Sequence, residues 1–299
     1  MMPIEQNISR AISAEALQAY QENGYLLLPH CFSPAEIDVL SAELPVILAE
    51  DTPRRIPEIN QVSVRSVYGS HTSNAVFRCL TRHPRLVEPA MHFLGSQVYV
   101  YQFKVNAKVA FDGDVWNWHQ DYVFWLKEDG LLSPRIINAV VFLSEVNEFN
   151  APLMVIPGSH KEGVIDVQAD NGTVSGEDKS SADQSAWISN LTAKLKYSLD
   201  RNTVSRLAKQ YGIQALKGPA GSVLFFDSNL VHASANNLSP FDRNVILITF
   251  NSVENIPVAA GRRRPDFLVS RDHSSILPVT DDAMLSFVGC KPNSGAASH

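Results

Sequence analysis

Residues 98–105 read Val98-Tyr-Val-Tyr-Gln-Phe-Lys-Val105, a run dominated by β-branched and aromatic residues. This composition is typical of a β-strand. Four further short runs of the same kind follow along the chain, at 136–143, 153–156, 222–226 and 245–250. Because most of them have no helix between them, they predict an antiparallel sandwich or barrel. We therefore predict a mainly β fold.

If the first run continues to residue 108, its polar residues share one face. In a strand, successive side chains point to opposite sides of the sheet. Gln102, Lys104, Asn106 and Lys108 would then alternate with Tyr101, Phe103 and Val105. A polar face of this kind is suited to lining a pocket, although Gln102 and Asn106 would also suit an exposed sheet face.

The N-terminal part of the chain predicts helices beside this sheet. Ser13 and Ser33 each stand where a capping residue is expected before a helical pattern, and Gly24 ends the first pattern. A short apolar run at 25–28 lies between the two patterns. Residues 75–94 continue the helical character, with a break expected near Pro84.

The chain of 299 residues is predicted to form one domain, 1–299, because sandwiches and barrels often exceed the usual domain length. Residues at about 168–186 are rich in Gly, Ser, Asp and Asn and offer almost nothing to bury. They predict a mobile surface insertion, which is either a lid or a solvated loop without function. The small polar residues at about 292–299 predict a flexible tail.

The composition excludes several classes of protein. A net charge of -6, without a basic stripe, argues against a nucleic-acid partner. No apolar segment reaches the roughly 18 residues needed to span a membrane. Three widely spaced cysteines suggest neither a disulfide framework nor a zinc knuckle, so we predict a cytoplasmic protein. The sequence gives no indication of oligomeric state.

The residues that indicate chemistry lie in Trp116-Asn-Trp-His119-Gln-Asp121-Tyr and, far downstream, around His232. In an extended chain His119 and Asp121 point to the same side. Two histidines and one carboxylate on one face of a metal leave three positions open, as non-heme Fe(II) oxygenases require. Arg243 follows His232 and is suited to clamping the distal carboxylate of a 2-oxo acid. Hydrolytic zinc fits the same ligands but leaves Arg243 unexplained.

Several motifs in this order resemble the phytanoyl-CoA dioxygenase-like branch of the Fe(II)/2-oxoglutarate oxygenases, and within it the ectoine hydroxylases. They include Gln102-x-x-x-Asn106-x-Lys108, Trp118-His-x-Asp-x-x-x-Trp125 and Phe226-Asp-x-Asn-x-x-His232-x-Ser234. The resemblance covers about residues 20–272. It implies a double-stranded β-helix, which is a cupin-like jelly roll with flanking helices.

The resemblance also implies roles for single residues. His119, Asp121 and His232 match iron ligands, and Arg243 matches the residue that anchors 2-oxoglutarate. Ser234, Asn106 and Lys108 match further contacts of this co-substrate. Gln102 and Trp125 match positions that face the substrate, although Trp125 would also serve as a plain packing residue. Because halogenating relatives replace the carboxylate, Asp121 favours hydroxylation of an unactivated C–H bond with dioxygen.

The substrate is less well defined than the metal. The tracts that follow Asp121 and Gly130 depart from the ectoine hydroxylases, which weakens the case for ectoine itself. We expect a small polar or zwitterionic substrate, such as a free amino acid or an ectoine-like compound, with a natural-product intermediate as the alternative. A jelly-roll metal hydrolase or isomerase, or a non-catalytic binding protein, are the alternatives from other classes.

Overall fold

The strand predicted at 98–105 is longer in the computed structural model. It forms β4 (Val98–Lys108), which pairs antiparallel with β11 (Arg243–Ser252) along its length. The structure describes residues 12–167, 191, 195–258 and 264–290. The predicted insertion at about 168–186 and the predicted tail at about 292–299 lie outside these residues.

The remaining strands of the described residues are short and complete two sheets. They are β1 (Tyr25–Leu28), β2 (Arg55–Pro57), β3 (Val64–Tyr68), β5 (Trp116–His119), β6 (Ile136–Phe142), β7 (Leu153–Val155), β8 (Gln214–Leu216), β9 (Val223–Asp227) and β10 (His232–Ser234). Seven strands form one sheet in the order β1-β9-β6-β11-β4-β3-β2, and four form a second in the order β5-β10-β7-β8. All these neighbours pair antiparallel, and residues of both sheets line a common cavity between them. The mainly β, jelly-roll prediction is confirmed.

Helices flank the sheets at positions that the sequence signals explain. They are α1 (Ala14–Asn23), α2 (Pro34–Ala49), α3 (Ala75–Thr81), α4 (Pro84–Leu94), α5 (Asp121–Asp129) and α6 (Arg201–Tyr211). Ser13 caps α1, and Ser33 forms a capping box with Glu36 at the start of α2. Gly24 ends α1 with a φ of 79°, which glycine adopts without steric cost. The predicted helix–strand–helix order of this region is confirmed.

The large sheet buries one face against the N-terminal helices. Phe103 and Ile248, on the two central strands, pack with Leu40 of α2 and Phe77 of α3, and all four are fully buried. Burying a side chain of this size contributes about 1.5–3 kcal/mol. The opposite face of the large sheet therefore lines the cavity, as the alternation in β4 predicts. Among the described helices, none combines the length and apolarity needed to cross a membrane.

The chain around the proposed metal ligands differs in part from the prediction. Strand β5 ends at His119, and Asp121 is the first residue of α5 rather than a strand residue. An acidic residue is favoured in the first turn of a helix, and Gly130, with a φ of 71°, supplies the C-terminal cap. Gln120, between the two ligands, is still extended, with a φ of -114° and a ψ of 134°. His119 and Asp121 therefore reach one point as predicted, although Asp121 begins a helix rather than continuing the strand.

Candidate active site

Three of the predicted residues meet at one point between the sheets. His119 ends β5, Asp121 begins α5 and His232 begins β10, where it is the register partner of His119. One ligand atom from each residue lies within 4.8 Å of the others. The carboxylate oxygens of Asp121 lie 3.4 Å from His119 Nε2 and 3.8 Å from His232 Nε2. The fold thus brings together two imidazoles and one carboxylate from distant parts of the chain.

Backbone contacts fix the tautomer of both histidines. His119 Nδ1 lies 2.6 Å from the carbonyl oxygen of Asn117, and His232 Nδ1 lies 2.9 Å from that of Leu230. A carbonyl oxygen only accepts hydrogen bonds, so each Nδ1 must carry the proton and donate. Each Nε2 then offers its lone pair to the common point. This is the arrangement of metal-binding histidines, whose second nitrogen donates to a backbone or carboxylate oxygen.

The electrostatics of the cluster favour the protonation states that bind a metal. Burial lowers the pKa of His232 to about 4, with His119 adding to the effect, so its imidazole is neutral at physiological pH. Burial raises the pKa of the Asp121 carboxyl, but His232, His119 and Lys104 hold it well below its usual range. Two imidazoles and one carboxylate form the donor set that non-heme Fe(II) uses.

An apolar compartment extends from these three residues between the sheets and ends at Arg243. Its walls come from strands of both sheets and include Val140, Phe142, Val146, Leu153, Leu224, Phe226, Val245 and Leu247. Arg243 is 5% exposed, and its Nη1 donates to the carbonyl oxygen of Ala151 at 2.8 Å. Burial lowers the pKa of its guanidinium to about 10, which leaves it charged at neutral pH. A buried cation at the end of an apolar compartment is suited to an elongated anion.

Two buried donors in this compartment lack partners among the described residues. Arg243 Nε and Ser234 Oγ are both fully buried, and neither forms a hydrogen bond there. A buried donor without a partner costs about 1–3 kcal/mol, so such groups usually indicate a ligand or bound water. Asn106 lines the same compartment. The site therefore fits a dicarboxylic co-substrate that reaches from the metal to Arg243.

Lys108 is placed differently from the other residues predicted to contact the co-substrate. It is 1% exposed, and its ammonium donates to the carbonyl oxygens of Asp114 and Ala235, the latter at 2.9 Å. It does not line the apolar compartment, and it joins the loop after β4 to the loop after β10. Its predicted role as a co-substrate contact stays a prediction.

A second, more polar compartment shares His119 and Asp121 with the first. It is lined by Tyr68, Gln102, Lys104, Trp116, His119, Asp121, Phe124, Trp125, Asn138, Leu191, Leu195, Thr249 and Arg264. Gln102 Nε2 donates to the carbonyl oxygen of Leu268 at 2.8 Å, and Trp125 packs edge-on against Tyr101. Both residues predicted to face the substrate therefore lie on this compartment.

Lys104 and Trp116 are two of the residues of this site that the sequence analysis did not single out. Both line the two compartments, so they stand where these meet. Lys104 Nζ lies 5.2 Å from the centre of the Trp116 ring. The guanidinium of Arg65, a residue of β3, lies 3.6 Å from the same ring centre. The alternation in β4 already placed Lys104 on the polar face, but it did not show which lysine of that face lies beside the metal site.

Two histidines and one carboxylate that leave one side of a metal open define the class of non-heme Fe(II) oxygenases, and the buried arginine fits a 2-oxo acid co-substrate. Comparisons with known proteins agree with this class. Residues 20–245 match the family model Phytanoyl-CoA dioxygenase (PhyH). The chain therefore belongs to the phytanoyl-CoA dioxygenase family.

The chain is similar to two kinds of curated relative over most of its length. It is 39% identical to the L-proline trans-4-hydroxylase of Streptomyces griseoviridis, over 92% of this chain and 100% of the relative. It is 35% identical to the ectoine dioxygenase of Bordetella bronchiseptica, over 89% of this chain and 85% of that one. The named activities of both relatives are oxygenations.

A solved structure supports the same assignment. The structure of EctD from S. alaskensis with 2-oxoglutarate and 5-hydroxyectoine has a TM-score of 0.75 at 28% identity, over 93% of this chain and 90% of that one. A second structure of that protein, with bound Fe, has a TM-score of 0.74. The present chain is an Fe(II)- and 2-oxoglutarate-dependent dioxygenase, and dioxygen is its second co-substrate.

Proposed function

We propose that this enzyme hydroxylates a free cyclic amino acid, with L-proline as the first candidate. His119, Asp121 and His232 hold Fe(II), Arg243 and Ser234 bind the distal carboxylate of 2-oxoglutarate, and Asn106 contacts the same co-substrate. The proposal depends above all on one observation: an apolar compartment that ends at Arg243 and a more polar compartment meet at His119, Asp121, Lys104 and Trp116.

The charges of the second compartment favour a zwitterion. Arg264 is already neutralised, because its Nε and Nη2 bind the two carboxylate oxygens of Asp129 at 2.7 and 2.5 Å. Lys104 has no carboxylate within ion-pair distance among the described residues. Burial lowers the pKa of its ammonium, and the charge of Asp121 opposes that shift, as the carboxylate of a bound substrate would. Its ammonium is thus the cation available for the carboxylate of a substrate.

The aromatic residues of the same compartment suit the ammonium group and the apolar ring of a cyclic amino acid. Trp116, Phe124 and Trp125 supply ring faces and edges that attract a cation and that pack against an apolar ring. Gln102 uses its amide nitrogen on Leu268, which leaves its carbonyl oxygen to accept a hydrogen bond from the substrate nitrogen. A small cyclic amino acid has one carboxylate, one ammonium and one apolar ring, and so matches this set.

In this proposal the protein holds two small molecules on either side of the metal. Arg243 and Lys104 fix one carboxylate in each compartment, which limits the orientations in which a C–H bond faces the ligand cluster. When bound, Fe(II) would supply the oxidative chemistry, in which dioxygen gives one oxygen atom to succinate, formed from 2-oxoglutarate with loss of carbon dioxide, and the other to the substrate C–H bond. The side chains supply binding, orientation and exclusion of water.

The cellular site is proposed from the sequence. We propose a cytoplasmic enzyme, because three widely spaced cysteines favour a reducing compartment and free amino acids are available there. Its partners are its small-molecule substrates.

The substrate assignment is tested by succinate release from purified enzyme with Fe(II), 2-oxoglutarate and one candidate substrate at a time. L-Proline, D-proline, L-pipecolate, an acyclic amino acid and ectoine form the panel, and mass spectrometry identifies a product that has gained one oxygen atom. We expect L-proline or L-pipecolate to stimulate succinate release most. Stimulation by ectoine alone would reject the amino-acid assignment and leave the enzyme class intact. No stimulation by any compound of the panel would reject the small-zwitterion proposal and favour a natural-product substrate.

A further inference from the structure

Asp121 is held by the large sheet as well as by the two histidines. Asn138 Nδ2 donates to Asp121 Oδ2 at 2.8 Å. Asn138 is 1% exposed and interrupts the otherwise apolar strand β6, whose sequence is Ile-Ile-Asn-Ala-Val-Val-Phe. A buried amide in such a strand is costly unless its polar atoms are satisfied, so its contact with Asp121 needs an explanation.

Thr249 fixes the orientation of that amide. It is the register partner of Asn138 on β11, and its hydroxyl donates to Asn138 Oδ1 at 2.8 Å. An ionised carboxylate accepts hydrogen bonds only, so the NH2 group of Asn138 must face Asp121 and its carbonyl must face Thr249. The Thr249 hydroxyl is then required to donate. The hydrogen bonds from Thr249 to Asn138 and from Asn138 to Asp121 therefore run in one direction. A 180° rotation of the Asn138 amide would break both.

These two hydrogen bonds connect the large sheet to the metal site on the small sheet. His119 and His232 belong to the small sheet, whereas Asn138 and Thr249 lie on adjacent central strands of the large sheet. Asp121 lies on neither, since it begins α5 after a strand-to-helix turn. A side chain at such a position needs a contact on the opposite sheet if its carboxylate is to stay in place before a metal binds.

We propose that Asn138 and Thr249 are positioning residues for the metal site. Asp121 Oδ2 lies 3.8 Å from His232 Nε2 and accepts the hydrogen bond from Asn138, whereas Oδ1 lies 3.4 Å from His119 Nε2 and accepts none from Asn138. The hydrogen bond would therefore favour Oδ1 as the oxygen that ligates the metal. Asp121 is thereby kept monodentate, and the positions needed by 2-oxoglutarate and dioxygen stay open. This inference rests on the proposed metal role of His119, Asp121 and His232. Asn138 and Thr249 line the polar compartment, and neither lines the apolar compartment assigned to 2-oxoglutarate.

The test compares two substitutions at residue 249. Thr249→Val keeps the shape of the side chain and removes the hydroxyl, whereas Thr249→Ser keeps the hydroxyl. Co(II) affinity of the metal-free proteins is measured by calorimetry without 2-oxoglutarate, and the visible Co(II) spectrum reports the coordination number. We expect Thr249→Val to weaken Co(II) binding by roughly tenfold and to alter the spectrum, and Thr249→Ser to stay close to wild type. Asn138→Leu should weaken binding by roughly 10- to 100-fold.

Ser252→Ala is the matched control. It removes a buried hydroxyl from the same strand β11, where Ser252 Oγ contacts Ser96 and the backbone of Glu254 rather than the metal site. We expect unchanged Co(II) affinity in this variant. Thermal unfolding of each metal-free variant shows whether Asn138→Leu folds. If it does not fold, the comparison of Thr249→Val with Thr249→Ser alone tests the positioning role.

Failure of this inference is distinguishable from failure of the proposed metal site. If wild-type protein binds Co(II), His232→Ala abolishes binding, and Thr249→Val binds as tightly and with the same spectrum as Thr249→Ser, the positioning role is overturned and the metal ligands stand. If wild-type protein binds no Co(II), or His232→Ala has no effect on binding, the metal assignment fails and the positioning role fails with it.

Discussion

The imidazole rings of His119 and His232 lie side by side on neighbouring antiparallel strands, with their centres 4.2 Å apart and their planes at 52°. Strand register places them together, because each is the Cα partner of the other between β5 and β10. Register in a sheet is set by side-chain alternation, and a slip of one residue would turn one ring to the opposite face. The metal site therefore depends on the pairing of the small sheet.

Removal of the Arg243 guanidinium should weaken 2-oxoglutarate binding selectively. Arg243→Gln loses the buried charge and the bidentate geometry, and hydrogen bonds to charged groups contribute about 1.5–3 kcal/mol, so KM for 2-oxoglutarate should rise roughly 10- to 100-fold. KM for the amino acid should change little, because Arg243 does not line the second compartment. Steady-state kinetics with each substrate varied in turn check this. Equal effects on both KM values would contradict the assignment of the two compartments.

Lys104 should show the opposite selectivity. Lys104→Met keeps most of the side-chain volume and removes the ammonium, so KM for the amino acid should rise by roughly tenfold or more, as expected for a lost charged hydrogen bond. Lys104 also lines the apolar compartment, but Arg243 is the residue proposed to bind the distal carboxylate of 2-oxoglutarate. KM for 2-oxoglutarate should therefore stay within about threefold of wild type, a change of less than about 1 kcal/mol. Lys104→Arg is the matched control, since it keeps the charge and should recover part of the affinity. An unchanged KM for the amino acid in Lys104→Met would remove Lys104 from the substrate site.

The residues of the site were predictable from the sequence to different degrees. The motifs around His119, Asp121 and His232 identified the ligand cluster because metal chemistry restricts residue types strongly. The helix that starts at Asp121 was not predicted, because Tyr-Val-Phe-Trp has the composition of a strand and tertiary packing overrides that preference.

The polar face of β4 shows a second limit of prediction from the sequence. Alternation gives Lys104 and Lys108 the same predicted face, yet Lys104 lies beside the ligand cluster and Lys108 binds two loop carbonyls. Which lysine reaches the cavity depends on how far the strand extends past the second sheet, and a single-strand pattern carries no such information. Asn138 offered a usable signal, as a lone amide within a run of apolar residues.

The ion pair of Asp129 with Arg264 should be important for stability. Both side chains are more than nine-tenths buried, and Tyr101 also donates to Asp129 Oδ2, at 2.5 Å. Arg264→Met leaves a buried carboxylate without its cation, which should lower the free energy of unfolding by about 3–5 kcal/mol in urea denaturation. Arg135→Met is the control, because its pair with Glu254 is exposed and should contribute less than about 1 kcal/mol. Similar losses in both variants would contradict a structural role for the buried pair.

His71 should make the stability depend on pH. Burial, with Arg78 and Arg54, lowers the pKa of its imidazole to about 4 in the folded protein, against about 6.5 when unfolded. Between pH 4 and 6.5 the unfolded chain is protonated at His71 and the folded protein is not. The stability that neutral His71 contributes is therefore fully present above pH 6.5 and is lost as pH falls toward 4. The loss is at most about 1.4 kcal/mol per pH unit. His71→Gln should flatten this part of the profile in urea denaturation at several pH values, and an identical slope in the variant would contradict the assignment.

The central claim is that His119, Asp121 and His232 bind Fe(II) and leave open positions for 2-oxoglutarate. Anaerobic addition of Fe(II) and 2-oxoglutarate to the metal-free protein, followed by visible absorption, tests it most directly. A 2-oxo acid that chelates iron through two open positions gives a weak charge-transfer band. We predict this band in wild type and in His92→Ala, which removes an exposed histidine on α4, and its loss in His232→Ala. Absence of the band in wild type, or an undiminished band in His232→Ala, would contradict the account.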